Sequence, residues 1–178
     1  MPPAFTILPA TPADAPALAA LINQAYRGPA ALQAWTTEAH LLDGPRISEN
    51  HVREMTTATH SRAAVLLKYA DERGTIQGCM YLEPQGEALY LSTLAVAPAA
   101  QGHGVGRQLL AAAEAYARQH GCTRIKISVL SARPELLAWY ERHGYQRTGA
   151  SEAFPDTIEF GRPRQPLVLL GLELRVKS

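Results

Sequence analysis

The chain is short of cysteine, of basic excess and of long apolar runs, and each shortage removes a class of protein. Two cysteines, Cys79 and Cys122, occur in 178 residues, with no C-x-x-C pair. Neither a disulfide framework nor a thiolate zinc site fits that count, and two reduced thiols packed as small apolar side chains are expected. Lys and Arg total 17 against 16 Asp and Glu, a formal net charge of +1. Proteins that live on nucleic-acid phosphates carry a basic surplus, so no nucleic-acid partner is expected. The longest apolar stretches, such as Leu167 to Leu172, fall far below the roughly 20 residues that span a bilayer. The opening Met1-Pro2-Pro3-Ala4-Phe5 has neither a basic region nor an apolar run. The expectation is a soluble, cytoplasmic protein with no membrane partner. The histidines at 40, 51, 60, 103, 120 and 143 show no H-E-x-x-H or other ligand spacing, and no metal is expected.

What is present is globular. Hydrophobic residues make up 47% and charged residues 19% of the chain, enough for one domain with its own core. Phe5 to Leu8 reads as a short strand. Thr11-Pro12-Ala13-Asp14 reads as a helix start, with Leu18, Leu21, Ile22 and Ala25 recurring at helical spacing until Gly28-Pro29. Trp35 to Leu42 is expected as a helical turn and Ser48 to Thr59 as a second helix. Ala63 to Tyr69, Thr75 to Glu83 and Ala88 to Val96 form an antiparallel meander, punctuated by Asp71-Glu72-Arg73-Gly74 and Pro84-Gln85-Gly86-Glu87. A helix follows with Leu109, Leu110, Ala113, Tyr116 and Ala117 on one stripe and Gly121 as its stop. Arg124 to Leu130 is a strand, Pro134 opens a last helix, and Leu167 to Val176 is a final strand. Residues 148 to 166, with Pro155, Gly161, Pro163 and Pro166, are expected as an irregular loop.

The sharpest feature is Gln101-Gly102-His103-Gly104-Val105-Gly106, set between a strand and a helix. Glycines let backbone approach a ligand, and a helix N-terminus offers unpaired N–H groups, so the loop suits an anion such as phosphate. A Walker A loop needs G-K-[ST], whereas Arg107-Gln108 follows Gly106. A dinucleotide loop needs a third glycine where Arg107 stands.

Gln101-x-x-Gly104-x-Gly106 instead resembles the acyl-CoA pyrophosphate loop of the GNAT superfamily of N-acetyltransferases. Leu91-Ser92-Thr93-Leu94-Ala95-Val96-Ala97-Pro98 resembles that family's fourth strand and its exit. Trp139-Tyr140-Glu141-Arg142-His143-Gly144-Tyr145 resembles its Y-E-x-x-G-F/Y segment. The resemblance implies a single α+β, three-layer α/β/α domain over 1–178. Its sheet would be mixed, mostly antiparallel and six- to seven-stranded, with helices on both faces. Residues 88–147 would form the acyl-CoA-binding core. Acetyl-CoA would be the co-substrate and an amine the acceptor. Homodimers, common in the superfamily, are a permitted state.

By the same resemblance Gln101, Gly102, His103, Gly104, Val105, Gly106 and Arg107 would hold the pyrophosphate. Leu94, Ala95 and Val96 would hold the pantetheine arm, and the Leu94 amide would face the thioester oxygen. Tyr140 would be the general acid toward the departing thiolate. Two departures stand out. Arg133 occupies a position where the family often has Asn seven residues before the tyrosine, so that cofactor contact would be either lost or replaced by a cationic one. The strand Leu89-Tyr90-Leu91-Ser92-Thr93 lacks the glutamate that many members use as base, which leaves Glu83, or water through Tyr90 or Ser92.

Residues 26–59 and 148–166 would wall the acceptor site. Tyr26, Trp35 and Glu38 are the candidate substrate contacts, with Phe154 and Phe160 opposite. Expected is N-acetyl transfer to a primary amine by direct attack in a ternary complex, with a small molecule as acceptor. The alternatives are a protein N-terminal or lysine acetyltransferase, a non-catalytic acyl-CoA-binding or sensing module, and a nucleotide-binding protein using the same loop. Charge is split along the chain. Residues 1–100 carry six Lys/Arg and nine Asp/Glu, and residues 101–178 carry eleven and seven. Near-neutrality thus covers an acidic half with the expected amine wall and a basic half with the phosphate loop.

Overall fold

The computed structural model describes residues 4–28, 37–57, 63–155 and 158–178, the side chain of residue 158 excepted. Strand β1 (Phe5–Pro9) enters a 3-10 turn at Pro12–Asp14, and helix α1 (Ala15–Arg27) follows. The Thr11 amide donates to the Asp14 carboxylate at 2.8 Å, which fixes the entry angle. Leu18, Leu21, Ile22 and Ala25 are all buried, as their helical spacing requires. A short strand β2 (Leu42–Asp43) precedes α2 (Glu49–Thr57). The expected helical turn at Trp35 to Leu42 is therefore corrected at its C-terminal end, where Leu42–Asp43 pairs with β8 (Arg162–Pro163). Trp35 itself lies outside the described residues.

The meander is β3 (Val65–Asp71), β4 (Ile76–Gln85) and β5 (Ala88–Val96). Helix α3 (Val105–Gln119), β6 (Arg124–Leu130) and α4 (Pro134–Arg142) follow, then β7 (Gln146–Ala153) and β9 (Val168–Arg175). The seven-stranded sheet has the order β1-β3-β4-β5-β6-β9-β7. Its β5–β6 pairing is parallel and the others are antiparallel. Period-two alternation sends Leu66 and Cys79 to α1 and α2, and Leu67, Met80 and Leu82 to α3. Helices thus cover both faces, as expected from the sequence. Both cysteines are buried free thiols.

One expectation is corrected outright. The expected loop at 148–166 begins inside β7, whose eight residues are all exposed. That strand has no apolar alternation to betray it. Backbone pairing to β9 holds it at the sheet edge, with a register shift between Arg147 and Ser151 around Gly149 (φ +84°). Gly171 on β9 is part of the same arrangement, because a Cβ there would meet Thr148 Oγ1 at 2.9 Å.

Candidate active site

Two features of β5 open the centre of the sheet. Its parallel pairing with β6 covers only Ala88–Tyr90 against Arg124–Lys126. Against β4, Cys79 pairs with Ala95 and Tyr81 with Ser92, so three steps on β5 oppose two on β4. The extra residue is a β-bulge at Thr93–Leu94, and Thr93 has φ +54°, the only positive value at a non-glycine among the described residues. Thr93 and Leu94 are paired in neither ladder. The bulge also resets side-chain parity. Leu89 and Leu91 face α3, and beyond the bulge Leu94 and Val96 face that side while Ala95 turns to α1.

A first cleft of about 520 Å³ lies between the end of β5, the start of α3 and one face of α4. Gly102 and Gly104 hold φ of +80° and +83°, and a Cβ on either would meet nothing, so the loop is open where a ligand would approach. Helix α3 starts at Val105, and the first amide bonded back is Gln108 N–H to Gly104 O at 3.1 Å. The Val105, Gly106 and Arg107 amides therefore point outward with the positive end of a 15-residue helix. Gln101 Nε2 donates to Val96 O at 3.1 Å and ties the loop to β5. Gly106 is needed for contact, because a Cβ there would lie 3.0 Å from the Trp139 ring of α4.

The residues expected to hold the cofactor converge here with two exceptions. Leu94, Val96, Gln101, Gly102, Gly104, Val105, Gly106, Arg107, Arg133 and Tyr140 all line the first cleft. Ala95 does not, since the bulge turns it into the α1 core. His103 does not either; its Nδ1 sits 3.4 Å from Ala100 O on the exposed side of the loop. Sequence reading missed Leu136, Trp139 and His143, which line the cleft. Their signal was the spacing i, i+3, i+7 on one face of α4, which core packing produces equally well.

A second cleft of about 750 Å³ lies on the opposite face of the sheet, where β5, β6 and β9 extend beyond the cover of α1. Tyr90, Lys126 and Glu173 form a cross-strand row on its floor, and Lys126 Nζ lies 5.8 Å over the Tyr90 ring. Glu83 also lines this cleft, opposite Tyr90. Its level is four residues before Leu94, about 13 Å along a strand.

The walls of the second cleft are loops pinned by α1. Asn23 Oδ1 accepts from the Arg46 and Ile47 amides at 2.7 and 3.1 Å. Arg27 donates to Gly44 O at 2.9 Å and to Phe160 O at 2.6 Å. A Cβ on Gly161 would collide with that guanidinium, which is why the chain passes there as glycine. Glu38, 8% exposed, is shared: Oε2 lies 3.4 Å from Arg27 and Oε1 3.5 Å from Arg133, itself 1% exposed. Asp43 is held by Arg164 at 2.7 Å. The acidic wall read from the sequence is thus already matched by arginines.

The two clefts meet at four residues: Tyr26, Leu94, Leu136 and Tyr140. The Tyr26 hydroxyl donates a short hydrogen bond to Leu94 O. Burial pushes the Tyr26 phenol pKa up to about 12, against the opposing charge of Arg46. Tyr140 is 6% exposed and its ring packs edge-on to Trp139 and Tyr145. Burial raises its pKa well above the ordinary value, Tyr26 and Tyr145 add to the rise, and Arg133 opposes it. The phenol is therefore protonated throughout the neutral range. Among the described residues no three His, Cys, Asp or Glu side chains converge as metal ligands. Nor is any described helix long and apolar enough to cross a membrane.

A glycine loop feeding a helix N-terminus, a splayed central strand with a bulge, and a buried tyrosine between two clefts meet at one point of the sheet. The chain belongs to the acetyltransferase (GNAT) family, whose family model matches residues 29–145. Acetyltransferase Atu2258 of Agrobacterium fabrum is 39% identical over 62 residues, which are 35% of this chain and 44% of that protein. The chain thus spans less than half the length of this curated relative. Solved structures share the fold over nearly the whole chain. An acetyltransferase structure from Salmonella typhimurium with its cofactor acetyl-CoA has a TM-score of 0.69 at 22% identity, covering 98% of this chain and 95% of that one. The ribosomal-protein-S18-alanine N-acetyltransferase of Escherichia coli matches at 0.69 and 17%, covering 98% and 96%. A spermidine N-acetyltransferase chimera from Vibrio cholerae and hSSAT matches at 0.66 and 16%, covering 96% and 95%.

Proposed function

We propose that this chain transfers an acetyl group from acetyl-CoA to a primary amine by direct attack in a ternary complex, with a small molecule as acceptor. The observation that carries the reading is the meeting of two clefts of unlike chemistry at one unpaired stretch of β5. The first cleft suits acetyl-CoA. Its amides at 105–107 and Arg107 face the pyrophosphate, and its apolar walls from Val96, Leu136 and Trp139 suit the pantetheine arm. The second cleft holds the acceptor, and about 750 Å³ fits a metabolite.

At the junction the Leu94 amide donates to the thioester oxygen, where negative charge develops as nitrogen attacks. The Tyr26 hydroxyl fixes the Leu94 carbonyl, which lies in the Leu94–Ala95 peptide next to the Thr93–Leu94 peptide that carries this amide. The carbon–nitrogen bond forms and the carbon–sulfur bond breaks. Tyr140, kept protonated by its burial, gives its hydrogen to the departing sulfur and regains one from the second proton that the nitrogen sheds as the amide forms. The proton lost by the ammonium leaves through water in the second cleft toward Glu83, which stands on β4 opposite Tyr90, too far from Leu94 to take it directly. Arg133 is committed to Glu38 and Glu135 at the border of the first cleft. In this reading it braces the junction and does not stand in for a lost cofactor contact.

Among structural neighbours, one is named for spermidine and another for alanine of a ribosomal protein, so the fold serves both small and protein acceptors. The test is CoA thiol release across a panel of small amines and N-terminal peptides, with acetyl-CoA affinity measured in parallel. Turnover of small amines supports the reading. Turnover of peptides alone moves the acceptor to protein, and tight acetyl-CoA binding with no turnover of any amine replaces the enzyme with a binding module.

A further inference from the structure

We infer that the acceptor carries an acid group, a carboxylate a few bonds from its reactive amine, and that Arg46 binds it; this rests on the acetyl-transfer reading above. The inference starts from a charge imbalance beside the junction. Arg27 and Arg133 flank one buried carboxylate, that of Glu38, and a third guanidinium, that of Arg46, lies close enough to Arg27 and Tyr26 for its charge to act on both. Both Glu38 oxygens are taken, one by Arg27 and the other by Arg133. Arg27 also satisfies two carbonyls, and Arg133 has Glu135 at 3.5 Å. Arg46 is the cation left over.

The Arg46 guanidinium lies between two rings, 5.4 Å from the Tyr26 centroid and 5.3 Å from that of Phe160. The ring faces offer it attraction but accept none of its five N–H donors in the way an oxygen does. Among the described residues no carboxylate lies within ion-pair distance of it. Glu159, beside Phe160, is bonded to His51 Nδ1 at 2.8 Å. A partly desolvated cation without a counter-ion is costly, and an incoming anion relieves that cost.

Position selects the anion. Arg46 lines the second cleft and not the first, so the phosphates of CoA are not its partner. It is one aromatic ring from the transfer point, because the Tyr26 hydroxyl on the far side of that ring bonds Leu94 O. A planar two-oxygen acid matches the guanidinium fork. The Asn23 bonds to the Arg46 and Ile47 amides hold the arginine's backbone in place, so the site is built before the acceptor arrives. A polyamine would bring a second cation against Arg46.

The experiment compares matched acceptors on the full chain: an α-amino acid, a γ-amino acid, their carboxamides, the corresponding decarboxylated amines, and spermidine. Thiol release gives kcat/KM, and calorimetric titration in the presence of CoA gives binding. The acid is expected to exceed its carboxamide by about ten- to a hundred-fold, the scale of a charge-assisted hydrogen bond. In Arg46→Gln that ratio collapses toward one while acetyl-CoA affinity, the control for folding, stays within about threefold. Arg46→Lys recovers part of the ratio, since charge remains and the fork is lost. Equal or better turnover of carboxamides, amines or spermidine overturns the inference and leaves acetyl transfer standing. An unchanged ratio in Arg46→Gln overturns it too, as does failure of the acids either to bind or to react. Arg46-dependent binding of acids without turnover of any amine upholds the anion site and sinks the acetyl-transfer reading.

Discussion

The two clefts are built in opposite ways. Apart from Tyr26, the first draws on two compact runs of chain, between residues 94 and 107 and between 133 and 143. The second collects Tyr26, Glu38, Arg46, Glu83, Tyr90 to Leu94, Lys126 to Leu130, Phe160 and Gly171 from across the molecule. Local construction leaves a local sequence signature: glycines at fixed offsets, a helix start, a tyrosine on a helix face. Distributed construction leaves none, because each contributor is an ordinary arginine, glutamate or aromatic until the sheet brings them together. Charge follows the same division. The first cleft presents helix amides and Arg107 without needing a folded partner. In the second the charges acquire meaning only when Glu38 is shared between Arg27 and Arg133 and Arg46 is left over.

Substitutions sharpen this contrast, and the junction should respond most. Tyr140→Phe should lower kcat by about a hundred- to a thousand-fold, the worth of a positioned acid, while acetyl-CoA affinity changes by less than about threefold. Since burial keeps the phenol of Tyr140 protonated above the ordinary value of 10.0, the rate of the native chain should show no descending limb below about pH 10. A rate unchanged in Tyr140→Phe removes this residue from the chemistry. Next comes the buried carboxylate of the second cleft. Glu38→Gln should destabilise the fold by about 3 kcal/mol, because two guanidinium groups lose their shared counter-ion. Denaturant unfolding reads this, and a loss under about 1 kcal/mol would mean the arginines are satisfied by carbonyls alone.

The glycine loop should be more tolerant. A Cβ on Gly104 meets nothing, so Gly104→Ala adds only the strain of φ +83° for a residue with a Cβ, about 1–2 kcal/mol. Part of that should appear as roughly ten-fold weaker acetyl-CoA binding by calorimetry. Equal affinity would separate the loop from the phosphates. The smallest effect belongs to Glu83→Gln, no more than about ten-fold in kcat, since a remote base acts only through water. A thousand-fold loss would place that carboxylate next to the amine and contradict its register opposite Tyr90.

Much of this was legible beforehand, for identifiable reasons. The strand Arg124–Leu130 alternates apolar residues and was bounded correctly, and Pro134 and Gly144 bracket α4 because proline starts helices and glycine ends them. Strand β7 escaped notice because QRTGASEA has neither alternation nor β-branched density; its conformation is dictated by β9. Ala95 was expected at the cofactor, yet its side chain faces α1 and not the first cleft, since a one-residue bulge at Thr93–Leu94 inverts every side chain beyond it. The acidic wall was visible as composition, yet its neutralisation depends on Arg133, 95 residues away from Glu38 in the chain.

The sequence by itself determined the family, the order of the elements apart from β2, β7 and β8, the glycine loop and the tyrosine of α4. Each of these rests on spacing within a few residues or on short-range propensity. Only the tertiary structure decided which charges cancel, where β5 opens, and that Arg46 faces the second cleft with no counter-ion among the described residues. Electrostatic pairing and strand register act between segments far apart in the chain, and no local pattern encodes them.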